Sequence, residues 1–330
     1  MKKYLFCCMT FCALFIIGTM VAYADESSKG YGIKDITIAT GPSGGSHEII
    51  GTAVSEILRK NIEGVNFSPV PSNGVGVNSL LVANGECQMG TMTSTSGADA
   101  YNGLPPFKEK VTNIRAIFGL FPEVLQIWVP EDSSIKSLGD LIDKKFCFGI
   151  PSSSHFEAVK NLLELYGINE TTLDANGGKS LALQWSNAVT SLRDGNIDAL
   201  IWSTGAPAPA IQGIEISKKY SLLNIEEDKL QEFTAKYAGW AKYIVPKLTY
   251  KGQPNDVTTI YSKAYLIVDE GMDEKLVYNM VKALWENKDT LGNAYAALKD
   301  INIDNVAVDF AIPIHPGAEK FFKEIGATIR

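Results

Sequence analysis

Histidine occurs three times in the 330 residues and cysteine five times. Neither Cys-x-x-Cys nor His-Glu-x-x-His is present, so the chain lacks the clustered spacing of a metal centre, and no metal or cofactor is expected. Basic residues are also in deficit, with 30 Lys and Arg against 37 Asp and Glu. That balance argues against nucleic acid and against anionic lipid as partners, because phosphate binding depends on clustered cations. It leaves room for an anionic ligand, since the local field of a cleft can oppose the global charge. Long apolar runs are confined to the N-terminus. Leu5 to Val21 is almost unbroken, Lys2 and Lys3 precede it, and Ala22-Tyr23-Ala24 follows as a small-x-small cleavage pattern. Residues 1–24 therefore read as a secretory signal cleaved after Ala24. No later stretch is long and apolar enough to span a bilayer, so an exported, soluble mature chain is expected. Losing Lys2 and Lys3 takes the basic residues from 30 to 28 against 37 acidic, a net charge of −9. Cys7, Cys8 and Cys12 leave with the signal. Cys87 and Cys147 lie in apolar strand-like runs and read as two separate buried thiols.

The length suggests two domains. Ile36–Thr40, Phe67–Val70 and Met89–Thr93 are β-rich runs, the first two each followed by a turn or loop and a helical pattern, the second of these helices expected near Asn78. This alternation implies a parallel sheet with helices on its faces. Arg115–Val129 is a long β-prone segment interrupted at Gly119 and Pro122, and Tyr261–Val268 is a second. Between them lies another βα series, with strands near Lys145–Ile150 and Ile197–Trp202 and helices near 155–166 and 183–193. The chain is thus expected to cross twice between two α/β lobes. One lobe would comprise residues 31–122 plus 262–330 and the other residues 123–261, with a hinge and a cleft between them.

Two loops share a grammar. Gly41-Pro42-Ser43-Gly44-Gly45-Ser46-His47 and Gly149-Ile150-Pro151-Ser152-Ser153-Ser154-His155 each run from a strand end through Gly and Pro and a serine-rich turn to a helix with His near its start. They fall in opposite lobes, and ligands of open α/β sheets sit beyond the carboxyl ends of the strands, so the two loops should face each other across the cleft. A helix N-terminus carries unpaired N–H groups and about half a positive charge. It can hold a carboxylate or phosphate without any Arg. Ser43, Gly44, Gly45, Ser46 and His47 in one loop and Ser153, Ser154 and His155 in the other are therefore candidate ligand contacts. Gly74, Val75 and Asn78, then Thr93, Ser94 and Thr95, and then Thr204, Gly205, Ala206 and Pro207 join them, since all follow strands. Taken singly, each loop also reads as an ordinary helix cap. Trp202, Trp240, Tyr237 and Tyr243 are candidates for an apolar wall. Gly41-Pro42-Ser43-Gly44-Gly45 fits the G-x-S-x-G nucleophile pattern, but it follows the first mature strand, leaving no upstream loop to supply an oxyanion-hole donor. Gly177-Gly178-Lys179-Ser180 fails as a phosphate loop because Leu173 stands where the leading glycine is needed.

Read together, these segments resemble the TAXI subgroup of receptors for tripartite ATP-independent periplasmic (TRAP) transporters. The residues that carry the resemblance are Ile38–Ser46, Ser72–Leu80, Ala83-Asn84-Gly85-Glu86, Leu192–Ala199, Gly205-Ala206-Pro207 and Ile312–Lys320. The resemblance implies a type II periplasmic-binding-protein fold of two lobes, each a mostly parallel sheet flanked by helices, joined by two hinge-crossing strands. It implies a monomeric periplasmic receptor, not an enzyme. Such a receptor takes a small acidic organic ligand of the glutamate or 2-oxoglutarate class and delivers it to membrane permease subunits. The family's binding loops carry over to Ser43–His47, Gly74–Asn78, Thr93–Thr95 and Gly205–Pro207. His47 departs from the aromatic residue common there, Pro151–His155 replaces a glycine-rich loop, and Ser72-Asn73 replaces a Ser/Thr-Gly-Gly pattern. A receptor feeding a sensor kinase and a hydrolase using Ser43 are the competing readings.

Overall fold

Ile36 and Ile38 are buried in alternation along Asp35–Ala39, which forms strand β1. Ser46–Asn61 follows as helix α1, with Ile50, Val54, Ile57 and Leu58 on its inner face. The computed structural model describes residues 31–151, 153 and 155–330; the signal expected over residues 1–24 and the candidate contact Ser154 lie outside the described residues. β2 (Asn66–Val70), α2 (Val75–Ala83), β3 (Met89–Thr93) and α3 (Ser94–Asn102) complete the first βα series. Helix α2 starts three residues before the expected Asn78, because Gly74 ends the preceding loop at φ 126°, which glycine alone adopts without strain.

β4 (Ile114–Pro130) runs unbroken for 17 residues. Gly119 and Pro122 do not interrupt it. The Gly119 backbone lies against Val306, whose carbonyl a Cβ would approach to 2.6 Å. Pro122 sits beside a register shift in the pairing with the last strand, where a missing N–H is tolerated. A 3₁₀ turn at Leu138–Asp143 leads to β5 (Lys145–Cys147), α4 (Phe156–Glu164), α5 (Glu170–Asn176), β6 (Lys179–Leu181) and α6 (Trp185–Arg193). β7 (Ala199–Thr204), α7 (Pro209–Ile214), β8 (Tyr220–Leu222), α8 (Glu227–Lys236) and β9 (Ala241–Val245) follow. The chain then returns through β10 (Val257–Asp269) to α9 (Glu274–Glu286), α10 (Lys288–Ala294) and α11 (Pro316–Glu324).

All ten strands belong to one sheet of order β2-β1-β3-β10-β4-β7-β5-β6, with β8 added to β4 and β9 to β10. β1 pairs parallel with β2 and β3, and β5 pairs parallel with β6 and β7. β4 and β10 are antiparallel to each other and to their neighbours β7 and β3. The expected α/β architecture, a central sheet flanked by helices, is present. Four apolar clusters cover it. Two are built from residues before Val124 and after Ile260, around Phe118, Leu266 and Met280 in one and Met92 and Tyr265 in the other. The other two are built from the segment between, around Phe146 and Phe233 in one and Trp128 and Tyr220 in the other. Cys87 and Cys147 are free and buried. Burial raises both thiol pKa values, which keeps them protonated and unreactive.

Helix α1 approaches β1 through Gly51. A Cβ at Gly51 would overlap the methyl of Thr40, and Thr40 is held by its hydroxyl bond to the Val70 carbonyl at 2.9 Å. Helix propensity alone favours alanine by about 1 kcal/mol. Overpacking costs about 1–3 kcal/mol and wins here. Gly51→Ala is expected to lower the free energy of unfolding in a denaturant titration; a stabilised variant would contradict this packing.

Candidate functional site

Four helices begin at one cavity. Their N-cap residues are Gly45 for α1, Gly74 for α2, His155 for α4 and Gln184 for α6, and all four line it. Gly45 and Gly74 have no side chain to cap with, and neither His155 nor Gln184 caps its own helix. The first N–H groups of a helix have no intrahelical partner; Phe156 of α4 gives its N–H to the Ser153 carbonyl and Val77 of α2 to the Gly74 carbonyl, while those of Ser46 in α1, Val75 in α2 and Trp185 in α6 keep donors and partial positive charge for whatever occupies the space. Gly41, Pro42, Ser46, His47, Asn73 and Val75 complete the wall on one side, and Ile150, Ser153, Trp185, Trp202, Ser203 and Thr204 on the other. Glu123 of β4 lies in the lining between them. The space between the walls, open mouth included, is roughly 620 Å³.

Local chemistry sets the positions of these groups. A Cβ on Gly41 would stand 2.9 Å from that of His47, so glycine lets the loop fold back on the helix start. Thr204 donates its hydroxyl proton to Ser46 Oγ at 3.5 Å, joining two lining residues 158 positions apart in the chain. His47 Nε2 meets Glu123 Oε1 at 3.3 Å, with both residues buried, and its ring packs on Phe121. On the opposite wall the rings of His155 and Trp202 are 4.8 Å apart, and those of Trp202 and Trp185 are 5.2 Å apart. His155 is buried, and neither of its ring nitrogens makes a well-formed hydrogen bond. Burial pushes its pKa down to about 3, opposed only weakly by the Phe148 backbone. This imidazole is therefore neutral at physiological pH. Among the described residues the lining contains no Lys or Arg. No group of three His, Cys, Asp or Glu side chains among the described residues is placed to hold a metal.

Of the residues expected from sequence, Gly45, Ser46, His47, Gly74, Val75, Ser153, His155 and Thr204 are brought together here, with Trp202. Others stand apart. Ser43 donates to the Glu48 carboxylate at 3.1 Å and the Gly44 N–H donates to it at 2.6 Å, both on the exposed side of the loop. Ser43 is thus turned to Glu48 and His47 to Glu123, so the two do not form a nucleophile–base pair. Asn78 is fully buried and donates to the carbonyls of Thr40 (2.6 Å) and Thr91 (2.9 Å), tying β1 to β3. Thr93 caps α3, and its hydroxyl lies 3.2 Å from that of Thr95. Ser94 accepts from the Lys263 N–H at 3.0 Å and donates to the Gly239 carbonyl at 3.2 Å. Gly205 packs on the Tyr295 ring, while Ala206 and Pro207 continue that loop outside the lining. Tyr237 and Trp240 pack around Phe233, and Tyr243 packs on Tyr261. His315 caps α11 by accepting from the Gly317 N–H.

Sequence reasoning missed Glu123, Gln184 and Trp185. The signal for Glu123 was present. It is the sole charged residue between Ala116 and Pro130 in a strand that is otherwise almost wholly apolar, and a carboxylate there is costly unless it has a use.

The neutral His155 yields a pH dependence. Its folded pKa lies below the ordinary 6.5, so the unfolded chain binds a proton that the folded one refuses between about pH 6 and 4. Stability must fall as pH drops through that window. Compared with His155→Phe, the wild type should lose extra stability with a slope approaching about 1.4 kcal/mol per pH unit. Parallel pH profiles for the two proteins would refute a buried neutral imidazole.

The fold recurs in solved structures. MatC from Rhodopseudomonas palustris, with bound malate, aligns with a TM-score of 0.54 at 13% identity, over 81% of this chain and 90% of its own. The structure of a periplasmic transporter aligns with a TM-score of 0.52 at 14% identity, over 90% of this chain and 94% of its own. At such identities the likeness is one of fold, the central sheet flanked by helices described above. The NMT1-like family model matches residues 38–326, and the chain belongs to the NMT1-like family.

Proposed function

We propose that this protein is a periplasmic solute receptor that closes on a small organic acid in this cavity and delivers it to the membrane subunits of a TRAP-type transporter. The observation that carries the reading is the convergence of four helix N-termini, none capped by its own N-cap side chain, on a cavity lined without Lys or Arg. Oriented N–H groups and helix dipoles supply positive potential without a mobile counter-ion. Ser46, Ser153, Ser203 and Thr204 add hydroxyls, and Trp185 and Trp202 supply an apolar wall for a carbon skeleton. The carboxylate class follows the family resemblance, and MatC, which shares the fold, holds malate. A receptor fits better than a hydrolase because Ser43 is turned to Glu48 on the exposed side of its loop, away from His47 and outside the cavity lining.

In this reading residues 31–122 with 262–330 and residues 123–261 move as two lobes about β4 and β10. The apolar clusters change over at the same places, between Phe121 and Val124 on β4 and between Ile260 and Ala264 on β10. Residues 1–24 are removed as the signal.

Two measurements test this. Thermal shift of the purified mature protein against dicarboxylates, amino acids, oxo-acids, sulfonates and phosphates should single out one acidic class, since a ligand bound only by the native state raises the midpoint. With the best ligand, Ser46→Ala and Trp202→Ala should each weaken binding about tenfold or more, equivalent to about 1.4 kcal/mol, while Ser43→Ala leaves it unchanged. Equal losses at Ser43 and Ser46 would place the ligand elsewhere. X-ray scattering should show a smaller radius of gyration at saturation; an unchanged radius would sink the closure.

A further inference from the structure

Glu123 stands against the rest of the cavity. Four helix ends favour negative charge there, yet a carboxylate lines the same space with 4% of its surface exposed. Its backbone is fixed, paired in register with Ser262 of β10 and accepting at its carbonyl from the Ser203 hydroxyl at 3.2 Å. Only Oε1 has a side-chain partner, His47 Nε2. Oε2 makes no hydrogen bond among the described residues, and no Lys or Arg of the lining answers it. Oε2 is not among the buried, partnerless side-chain oxygens, so it stands open to the cavity as an acceptor that a ligand's donors can reach. The helix ends, on either side of it, ask for an acid.

We infer that Glu123 recognises an ammonium group, so that the preferred ligands are small zwitterionic acids, with the acid at the helix N-termini and the ammonium on Glu123. This rests on the anion-receptor reading above and narrows it. An ammonium brings several N–H donors to Oε2, whereas a simple dicarboxylate brings a second negative charge towards a fixed one. Because Glu123 lies on β4, where the chain passes from one half of the sheet to the other, it meets the ligand in the cleft floor, before either wall moves in. It is thus a specificity-determining residue, rejecting the deaminated analogue by leaving its own carboxylate unanswered.

Matched pairs test this directly. Isothermal titration of the wild type would use L-glutamate with glutarate, L-aspartate with succinate, and taurine with ethanesulfonate. The amino member of the best-binding pair should bind at least tenfold tighter than its deaminated partner. In Glu123→Gln, which keeps the shape and an oxygen for the His47 N–H, the amino member should weaken tenfold or more while the deaminated one holds or tightens. A wild type that binds the deaminated member as tightly, or tighter, overturns the inference and leaves the anion receptor standing. So does a variant that loses both members equally, which would make Glu123 a packing residue. If no member of any pair binds, this inference falls, while the anion-receptor reading stands or falls with the thermal-shift screen above. The wild-type preference needs no variant, and an unchanged apo melting midpoint for Glu123→Gln shows that the variant folds.

Discussion

Strands β4 and β10 pair antiparallel through the middle of the sheet, and the remaining elements are arranged around that ladder. β3 hangs from β10 on one side and β7 from β4 on the other, so each parallel set is joined to the ladder through a backbone seam. The pairing fixes Glu123 opposite Ser262 and Val124 opposite Tyr261, at the places where the covering apolar clusters change. Apolar clusters built from different parts of the chain meet along these two strands, and Glu123 of β4 takes part in the cavity lining.

The electrostatics of the cavity follow from what its walls are made of. Backbone donors at helix starts cannot be protonated or withdrawn, and they carry no side-chain entropy to lose. His155, neutral through burial, adds hydrogen-bonding capacity without charge, and the indoles beside it add apolar surface. Glu123 is the one fixed negative charge in the lining among the described residues. A field of this kind recognises a charge pattern, positive-seeking at one point and negative-seeking around it, in a protein whose overall charge is negative.

Much of the fold was legible because its signals are local. Alternating burial marks β1, and helical spacing of Ile50, Val54, Ile57 and Leu58 marks α1. Breaks at Gly119 and Pro122 misled because a register shift and the contact with Val306 absorb them, and both are long-range. The matched loops ending in His47 and His155 pointed to the cavity correctly in their inner residues. Ser43 and Asn78 share the same composition and serve the fold. So do Thr93, Ser94 and Thr95. A strand end followed by hydroxyl residues looks identical whether its donors face a cavity or are consumed by Glu48, the Thr40 carbonyl or Gly239. Tertiary packing makes that choice. Short elements such as β6, β8 and β9, of three to five residues, carry too little periodicity to read and exist because a neighbouring strand offers them an edge.

The central claim is that an acid is held by the uncapped helix starts. It is tested most directly by following backbone amide resonances during titration with the acid that most raises the melting midpoint. The account predicts that the largest downfield shifts fall on the first-turn amides of α1, α2 and α6, at Ser46, Val75 and Trp185, and saturate with the binding curve. Saturable binding that leaves those amides in place while others move would contradict it.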